Sequence, residues 1–588
     1  MKHLLALFGI VVLAIVGTTG GGCGSSSSRE GFVDPSAGGA GPDGTGLSND
    51  AGLGNGAPGT LDCKGLQDGT KSSAGCDYWA VVPDVIIGGN GACFAVFLAN
   101  THSEPIVIGV EYDGKALYTQ DFSFIPSGSG AATTYKPLTG GFIPPGEVAI
   151  LFLNRAAGGL PMPGLNFDCP AGITPAVTNV DAAQHGTGLG KAFHITTSAA
   201  VAAYDIYPYG GGASALTSAT LLLPSTSWDT NYVAVDAYGT GLGSGGVVQI
   251  VGQADNTQVT ISPANDIVAA TGIAAAKKGQ PAVYTVNRGQ VLQFTQDASL
   301  AGSAILADKP IGLWGGKSAL AIDSCCDDSA HQQIPPVRAL GSEYVGVRYR
   351  NRYDGIEETP PWRLVGAVDG TTLTWEPSAP AGAPITLSLG QVAEFRSPGG
   401  FSVKSQDDKH PFYMAAYMTG AAQFDPGYDD GGTGGGGGSG KDDGRGDAEF
   451  VNVIPPGEFE TSYTFFTDPT YPETNLVLVR TKTGDKFDDV TLDCAGVLTG
   501  WMPIGTSGKY EYTRTDLIRH NFAPVGNCNN GRHEIHSNSP FGLTVWGWGS
   551  GETGNIGAGF YSQYVSYAYP GGASVKPINS VVVAPVVR

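Results

Sequence analysis

Gly302-Ser-Ala-Ile-Leu-Ala-Asp-Lys-Pro-Ile-Gly-Leu-Trp-Gly315 reads as an apolar strand, a four-residue turn ending at Pro310 and a second apolar strand. Three similar phrases occur. Phe401-Ser-Val-Lys-Ser405 leads through Asp407, Lys409 and Pro411 into Phe412-Tyr-Met-Ala-Ala-Tyr417. His533-Glu-Ile-His-Ser-Asn-Ser-Pro540 leads into Phe541-Gly-Leu-Thr-Val-Trp546. Phe193-His-Ile-Thr-Thr-Ser-Ala-Ala200 leads into Val201-Ala-Ala-Tyr-Asp-Ile-Tyr207, with Ala200 in the place of the proline. The aligned positions Ala200, Pro310, Pro411 and Pro540 follow at steps of 110, 101 and 129 residues. Such a period is one small domain, far longer than a solenoid unit.

Other phrases repeat in the same order. Gly289-Gln-Val-Leu-Gln-Phe294 matches Gly390-Gln-Val-Ala-Glu-Phe395 and, more loosely, Gly146-Glu-Val-Ala-Ile-Leu-Phe152. Leu223-Pro224, Pro335-Pro336 and Pro455-Pro456 each precede a strand that holds Tyr232, Tyr344 or Tyr463. Short apolar runs, turn signals every eight to twelve residues and no stretch of helical period predict an all-β chain of tandem β-sandwich-like units. A β-propeller-like arrangement is the alternative. The units are expected at 61–212, 213–323, 324–424 and 448–550, with a Gly/Asp-rich loop at 425–447 and a tail, 551–588, that closes as a last strand onto an earlier unit. The recurring aromatics Tyr207, Trp314, Tyr417, Trp546 and Trp548 are expected in the cores; a carbohydrate-stacking platform is the other reading.

Composition agrees with an exported β protein. Ninety glycines accompany only 14% charged residues, and the net charge is −21. That charge argues against nucleic acid, whose phosphates need basic partners, and against docking on anionic lipid by charge. Met1–Cys23 carries a short basic start, an apolar run from Leu4 to Val16 and small residues before Cys23. It resembles a bacterial lipoprotein signal, with Cys23 as the lipidated residue and Gly20 where such signals usually carry leucine. Residues 24–60 have almost no apolar side chains and are expected to form a disordered tether. Some 35 residues reach ~30–35 Å as a flexible chain. The expected location is therefore the bacterial cell envelope, lipid-anchored at the outer membrane or cell surface.

Cys63, Cys76, Cys93, Cys169, Cys325, Cys326, Cys494 and Cys528 form an even set, for which disulfides are the default in an exported chain. Cys494 and Cys528 share a unit and are expected to pair. The vicinal Cys325 and Cys326 leave a strand in opposite directions, which favours separate partners. Asp425, Asp429, Asp430, Asp442, Asp443 and Asp447 offer oxygens of the kind calcium takes, but not at EF-hand spacing; a solvated acidic loop is the plainer reading, and no cofactor is required. Asp323, Asp327 and Asp328 invite the same suspicion more weakly. Gly435–Lys441 imitates a phosphate loop but continues into Asp442, without a Ser or Thr for magnesium. Arg445-Gly-Asp447 is the integrin tripeptide, placed in an exposed loop. His533 and His536 lie three apart on a strand and face opposite ways, so they share no metal. No Gly-x-Ser-x-Gly elbow is present.

Gln333-Ile-Pro-Pro-Val337 with Gly341-Ser-Glu-Tyr-Val345, Val365-Gly-Ala-Val-Asp-Gly-Thr-Thr372, Gly390-Gln-Val392 and Ala307-Asp-Lys-Pro-Ile311 resemble the N-terminal domain family of the IgGFc-binding protein. The resemblance covers about Pro224 to Trp548. These are strand and turn phrases, so the resemblance implies a fold rather than a site, and Fc binding is not carried over. The function expected is a non-enzymatic surface binding or adhesion module for a protein or glycan. A glycan-active enzyme with paired carboxylates and a passive envelope component are the alternatives.

Overall fold

The computed structural model describes Cys63 and residues 72–587, except 160–164, 211–215, 242–244, 325–326, 425–443 and 555–558. The segments expected to be a signal and a tether, Cys325, Cys326 and the glycine run of 425–443 therefore lie outside the described residues. Everything described is strand, 3-10 turn or irregular chain, and the sheets are antiparallel and curled.

The repeated phrase is not a hairpin. In unit two it forms one strand, Ala304–Leu320, whose two halves pair with different neighbours. Its first half lies against Thr257–Ser262 and its second against Gly246–Gly252. Between them the register with Asp229–Val233 jumps: two steps from Asp229 to Asn231 face five from Leu306 to Ile311. Pro310, which has no N–H for a ladder, sits in this bulge, where proline is tolerated inside a sheet. The sequence signal read as a turn is thus a corner in a continuous strand. Phe193–Tyr207 bends the same way, two steps from Gly75 to Asp77 facing five from Thr196 to Val201. Gly531–Trp548 repeats it, with Glu460 to Ser462 facing His536 to Phe541. Unit three divides the element into Phe401–Lys404 and Phe412–Met418.

A tyrosine holds each corner. Tyr232 Oη donates to Ile311 O at 2.7 Å and accepts the Asp229 N–H at 3.1 Å. Tyr344 does the same with Phe412 O and Gly341 N–H, at 2.7 and 2.9 Å. Tyr463 donates to Phe541 O and accepts the Glu460 N–H at 2.9 Å. In unit one Tyr78 takes the role, donating to Val201 O at 2.6 Å.

The strand opening each later segment is hydrogen-bonded into the sheet before it. Ser218–Leu221, Asp328–Ile334 and Ser566–Pro570 pair with the second halves of the three long strands, and Glu449–Asn452 pairs with Phe412–Met418. These four inner strands neighbour one another in a closed cycle: first against second, second against third, third against fourth, fourth against first. The apolar layers follow that cycle. Tyr207, Trp228 and Trp314 share one core, Ile250 and Tyr417 a second, Trp362 and Trp546 a third, and Phe97, Phe466 and Tyr569 a fourth. Each sandwich layer is therefore shared by successive units rather than enclosed within one. Strands Phe94–Asn100 and Gly246–Gly252 are buried along their whole length because both faces are covered. Within the tail, Ser566–Pro570 forms a strand on unit four, but the end expected to close as a last strand onto an earlier unit does not. Beyond Pro570 it runs without a ladder, and Asn231 grips Val583 through both backbone groups at 2.8 Å.

Candidate functional site

The inner strands should be apolar if the axis of the cycle were only core. Instead Ser218, Thr220, Asp328, His331, Gln332, Gln333, Glu449, Asn452 and Ser566 are buried there. Gln332 Nε2 spans the axis, donating to Ala219 O at 2.7 Å and Ala568 O at 3.2 Å. Glu449 accepts Ser218 Oγ–H at 3.0 Å and the Phe450 N–H at 2.8 Å. Asp205 and His331 meet at 2.5 Å.

Towards the connections that leave the long strands, acids gather. Ser566 is their meeting point. Its N–H reaches the Asp328 carboxylate, and its Oγ donates to Asp447 O at 2.9 Å. Burial drives Asp328 well above the usual carboxylate range, and Asp447, Glu449 and Asp327 push it further. Burial raises Asp447 likewise, against the Ala448 N–H and the Arg352 charge, and raises Glu449 against its hydrogen bonds. Asp328 Oδ2, Asp447 Oδ2 and Glu449 Oε2 have no hydrogen-bond partner among the described residues. Such oxygens must take protons or a cation, because a buried carboxylate without either is costly.

The nearby cations are engaged elsewhere. Arg352, fully buried, forks onto Glu358 and also donates to Arg445 O and Thr419 O, each at 2.8 Å. Arg350 lies over Trp548 and pairs with Glu473 and Asp516.

Several sequence-derived candidates change character. Arg445-Gly446-Asp447 is not displayed: Arg445 is 5% exposed and Asp447 0%. Glu473 and Glu552 draw the Arg445 guanidinium inward, at 3.3 and 2.8 Å. Of the six aspartates considered for calcium, Asp425, Asp429, Asp430, Asp442 and Asp443 lie outside the described residues, whereas Asp447 faces the acidic cluster. Tyr207, Trp314, Tyr417, Trp546 and Trp548 are core, none more than 1% exposed, and form no platform. The six described cysteines pair as Cys63–Cys76, Cys93–Cys169 and Cys494–Cys528. Asp493, Cys494 and His533 come together, but the Cys494 sulfur is in its disulfide and His533 is held by Asp493 Oδ1 and Asn529 O at 3.0 and 2.7 Å. Sequence reasoning missed Glu449, whose partner Ser218 comes from another unit, and Arg352 and Glu358, six residues apart in an irregular segment that no motif marks.

A cycle of antiparallel sheets around a polar axis defines an all-β protein of repeated units. The family model of the IgGFc binding protein matches residues 218–547, from the first inner strand almost to the end of the last long strand. That is more than half of the 588 residues, and the chain belongs to this family. No curated protein matches the chain.

Proposed function

We propose that this chain is a non-enzymatic binding module of the bacterial cell envelope, held by lipid on Cys23 and carried clear of the membrane on its Gly/Ser-rich tether. Its ligand is a protein or a glycan. Membership of a binding-type family carries the reading. The buried position of the axial carboxylates supports it, because a glycan hydrolase needs two carboxyl groups facing each other across an open groove at ~5–10 Å. Feeding labelled palmitate tests the anchor: Cys23→Ala should lose the label and leave the membrane fraction, and unchanged labelling refutes it. Binding of the full chain on glycan and protein arrays tests the module. Hydrolysis of an arrayed glycan, or a blank on both arrays, counts against it.

A further inference from the structure

Among the described residues, every arginine but two pairs with a carboxylate. The exceptions, Arg348 and Arg514, are neighbours across the seam between units three and four. Arg348 follows strand Glu343–Gly346 of unit three, and Arg514 lies on strand Tyr510–Arg519 of unit four. Arg514 Nε donates to Arg348 O at 2.7 Å. Tyr512, Arg514 and Asp516 share one face of their strand. Asp516 does not neutralise Arg514; it accepts from Arg350 Nε at 2.8 Å and Asn475 Nδ2 at 2.9 Å. Arg348 is 4% exposed, yet its guanidinium meets only the neutral oxygens Tyr349 O and Asn351 Oδ1, and its Nε has no hydrogen-bond partner. Arg514 lies over the Tyr512 ring at 5.1 Å. Burial, the largest cause, lowers the Arg514 value, the Arg348 charge lowers it further, and only Tyr512 acts the other way. Two adjacent guanidiniums without a counter-charge, one of them buried with an unmet donor, are costly unless an anion joins them. The chain carries a net charge of −21 and still places no acid here.

We propose that Arg348 and Arg514 form a subsite for one oxyanion, the carboxylate or sulfate group of a single acidic sugar within a glycan. The proposal rests on the reading of the chain as a binding module and names the chemistry its ligand carries. The planar guanidinium fork suits such groups better than a lysine does. The anion supplies the counter-charge that Arg350 obtains from Asp516 and Glu473. Beside the two arginines lie the partly buried Tyr512 and the exposed Asn351. Asn351 turns its Oδ1 to Arg348, which leaves its Nδ2 to donate to a sugar hydroxyl. A few placed polar groups beside an aromatic ring suit a sugar, whereas a protein anchor fills a desolvated apolar pocket. The overall negative charge repels a polyanion, so the site takes one charged group and not a run of them. The ligand touches units three and four together.

The test uses the full chain in a buffer free of sulfate and phosphate, titrated by calorimetry with glucuronate, glucose 6-sulfate, glucose, sodium sulfate and a short aspartate-containing peptide. Wild type should bind one equivalent of glucuronate or glucose 6-sulfate, and which of the two binds tighter separates carboxylate from sulfate. Its melting temperature should rise with that sugar and not with glucose. Arg514→Gln should bind more than ~10-fold more weakly, the scale of losing a hydrogen bond to a charged group. Its melting temperature should not respond to the sugar. Arg514→Lys, which keeps the charge without the fork, should recover only part of the binding. Arg348→Gln should match Arg514→Gln, and Arg514, being partly exposed, keeps the test open if the Arg348 variant fails to fold. Four results would overturn the proposal: no binding by folded wild type at millimolar acidic sugar, binding that survives Arg514→Gln, glucose bound as tightly as glucuronate, or sodium sulfate or the peptide bound more tightly than either acidic sugar. Glycan-array binding that Arg514→Gln leaves unchanged refutes this site while the binding module stands. Blank arrays beside intact glucuronate binding refute the module and leave the site.

Discussion

The tyrosine corners and the axial cluster are both polar, both buried, and differ in balance. At a corner one hydroxyl accepts one backbone N–H and donates to one backbone carbonyl, and nothing is left over. At the axis, among the described residues, one carboxylate oxygen each of Asp328, Asp447 and Glu449 has no hydrogen-bond partner. A neutral buried network that is complete stabilises and specifies a fold; an incomplete charged one stores a demand for protons or ions. The corners are therefore built for permanence and the axis for a response to its surroundings.

That contrast is broken or sharpened most strongly by pH. Burial, the largest cause in each case, pushes Glu458 and Glu460 up to about 7 and Asp468 up to about 6. A raised folded value favours the protonated form, so its stabilisation is complete below the ordinary carboxylate range and is lost as pH rises through 6 and 7. His185, which burial would lower but hydrogen bonds to Asp181 and Asp84 raise to about 9, has the same sign: its contribution is present below its ordinary value and is lost through pH 9. The melting temperature should therefore fall from pH 5 to pH 8; a flat or rising profile would contradict the buried, protonated state of these carboxylates. The corner tyrosines, all pushed above their ordinary range by burial, should not contribute to the slope.

Next in size is Arg352→Met. It leaves Glu358 buried and unpaired, and removing one partner of a buried ion pair costs about 3–5 kcal/mol. Denaturant unfolding measures it, and Arg352→Met with Glu358→Gln should recover most of the loss. A single variant as stable as wild type would show that the pair adds nothing. Smaller is Tyr463→Phe, which strands a carbonyl and an N–H and should cost about 1–3 kcal/mol. Tyr78→Phe, Tyr232→Phe and Tyr344→Phe should fall in the same range; one outlier among the four would mean that the corners are not equivalent. Smallest is Arg396→Gln. Its pair with Asp323 at 2.6 Å is exposed and should be worth about 0–1 kcal/mol by the same measurement.

Legibility in the sequence follows that division. The corners were readable because proline, a short spacer and tyrosine recur within a dozen residues, as at Pro335-Pro336 and Tyr344. The core aromatics were readable because each falls at one place in the repeated phrase. The continuous long strand was not, since Asp308-Lys309-Pro310 carries the same residue chemistry in a bulge as in a turn. The cyclic sharing of layers was not either, because Phe97 against Phe466 joins segments that no local pattern relates. Asp447 was misplaced on the surface for a related reason. Its neighbours in the chain are glycine and arginine, but its neighbours in space are Ser566, Gly420 and Arg352.

Ser73 and Ala573 exchange two hydrogen bonds, at 2.8 and 3.0 Å, across a separation of 500 residues. Such contacts demand long loop closures, which slow folding. During N-to-C synthesis, the face of unit one that carries Phe97, Tyr204 and Tyr209 emerges long before Phe466 and Tyr569, which cover it. Until the last unit arrives, the oldest part of the molecule presents an open aromatic face and needs shelter from aggregation.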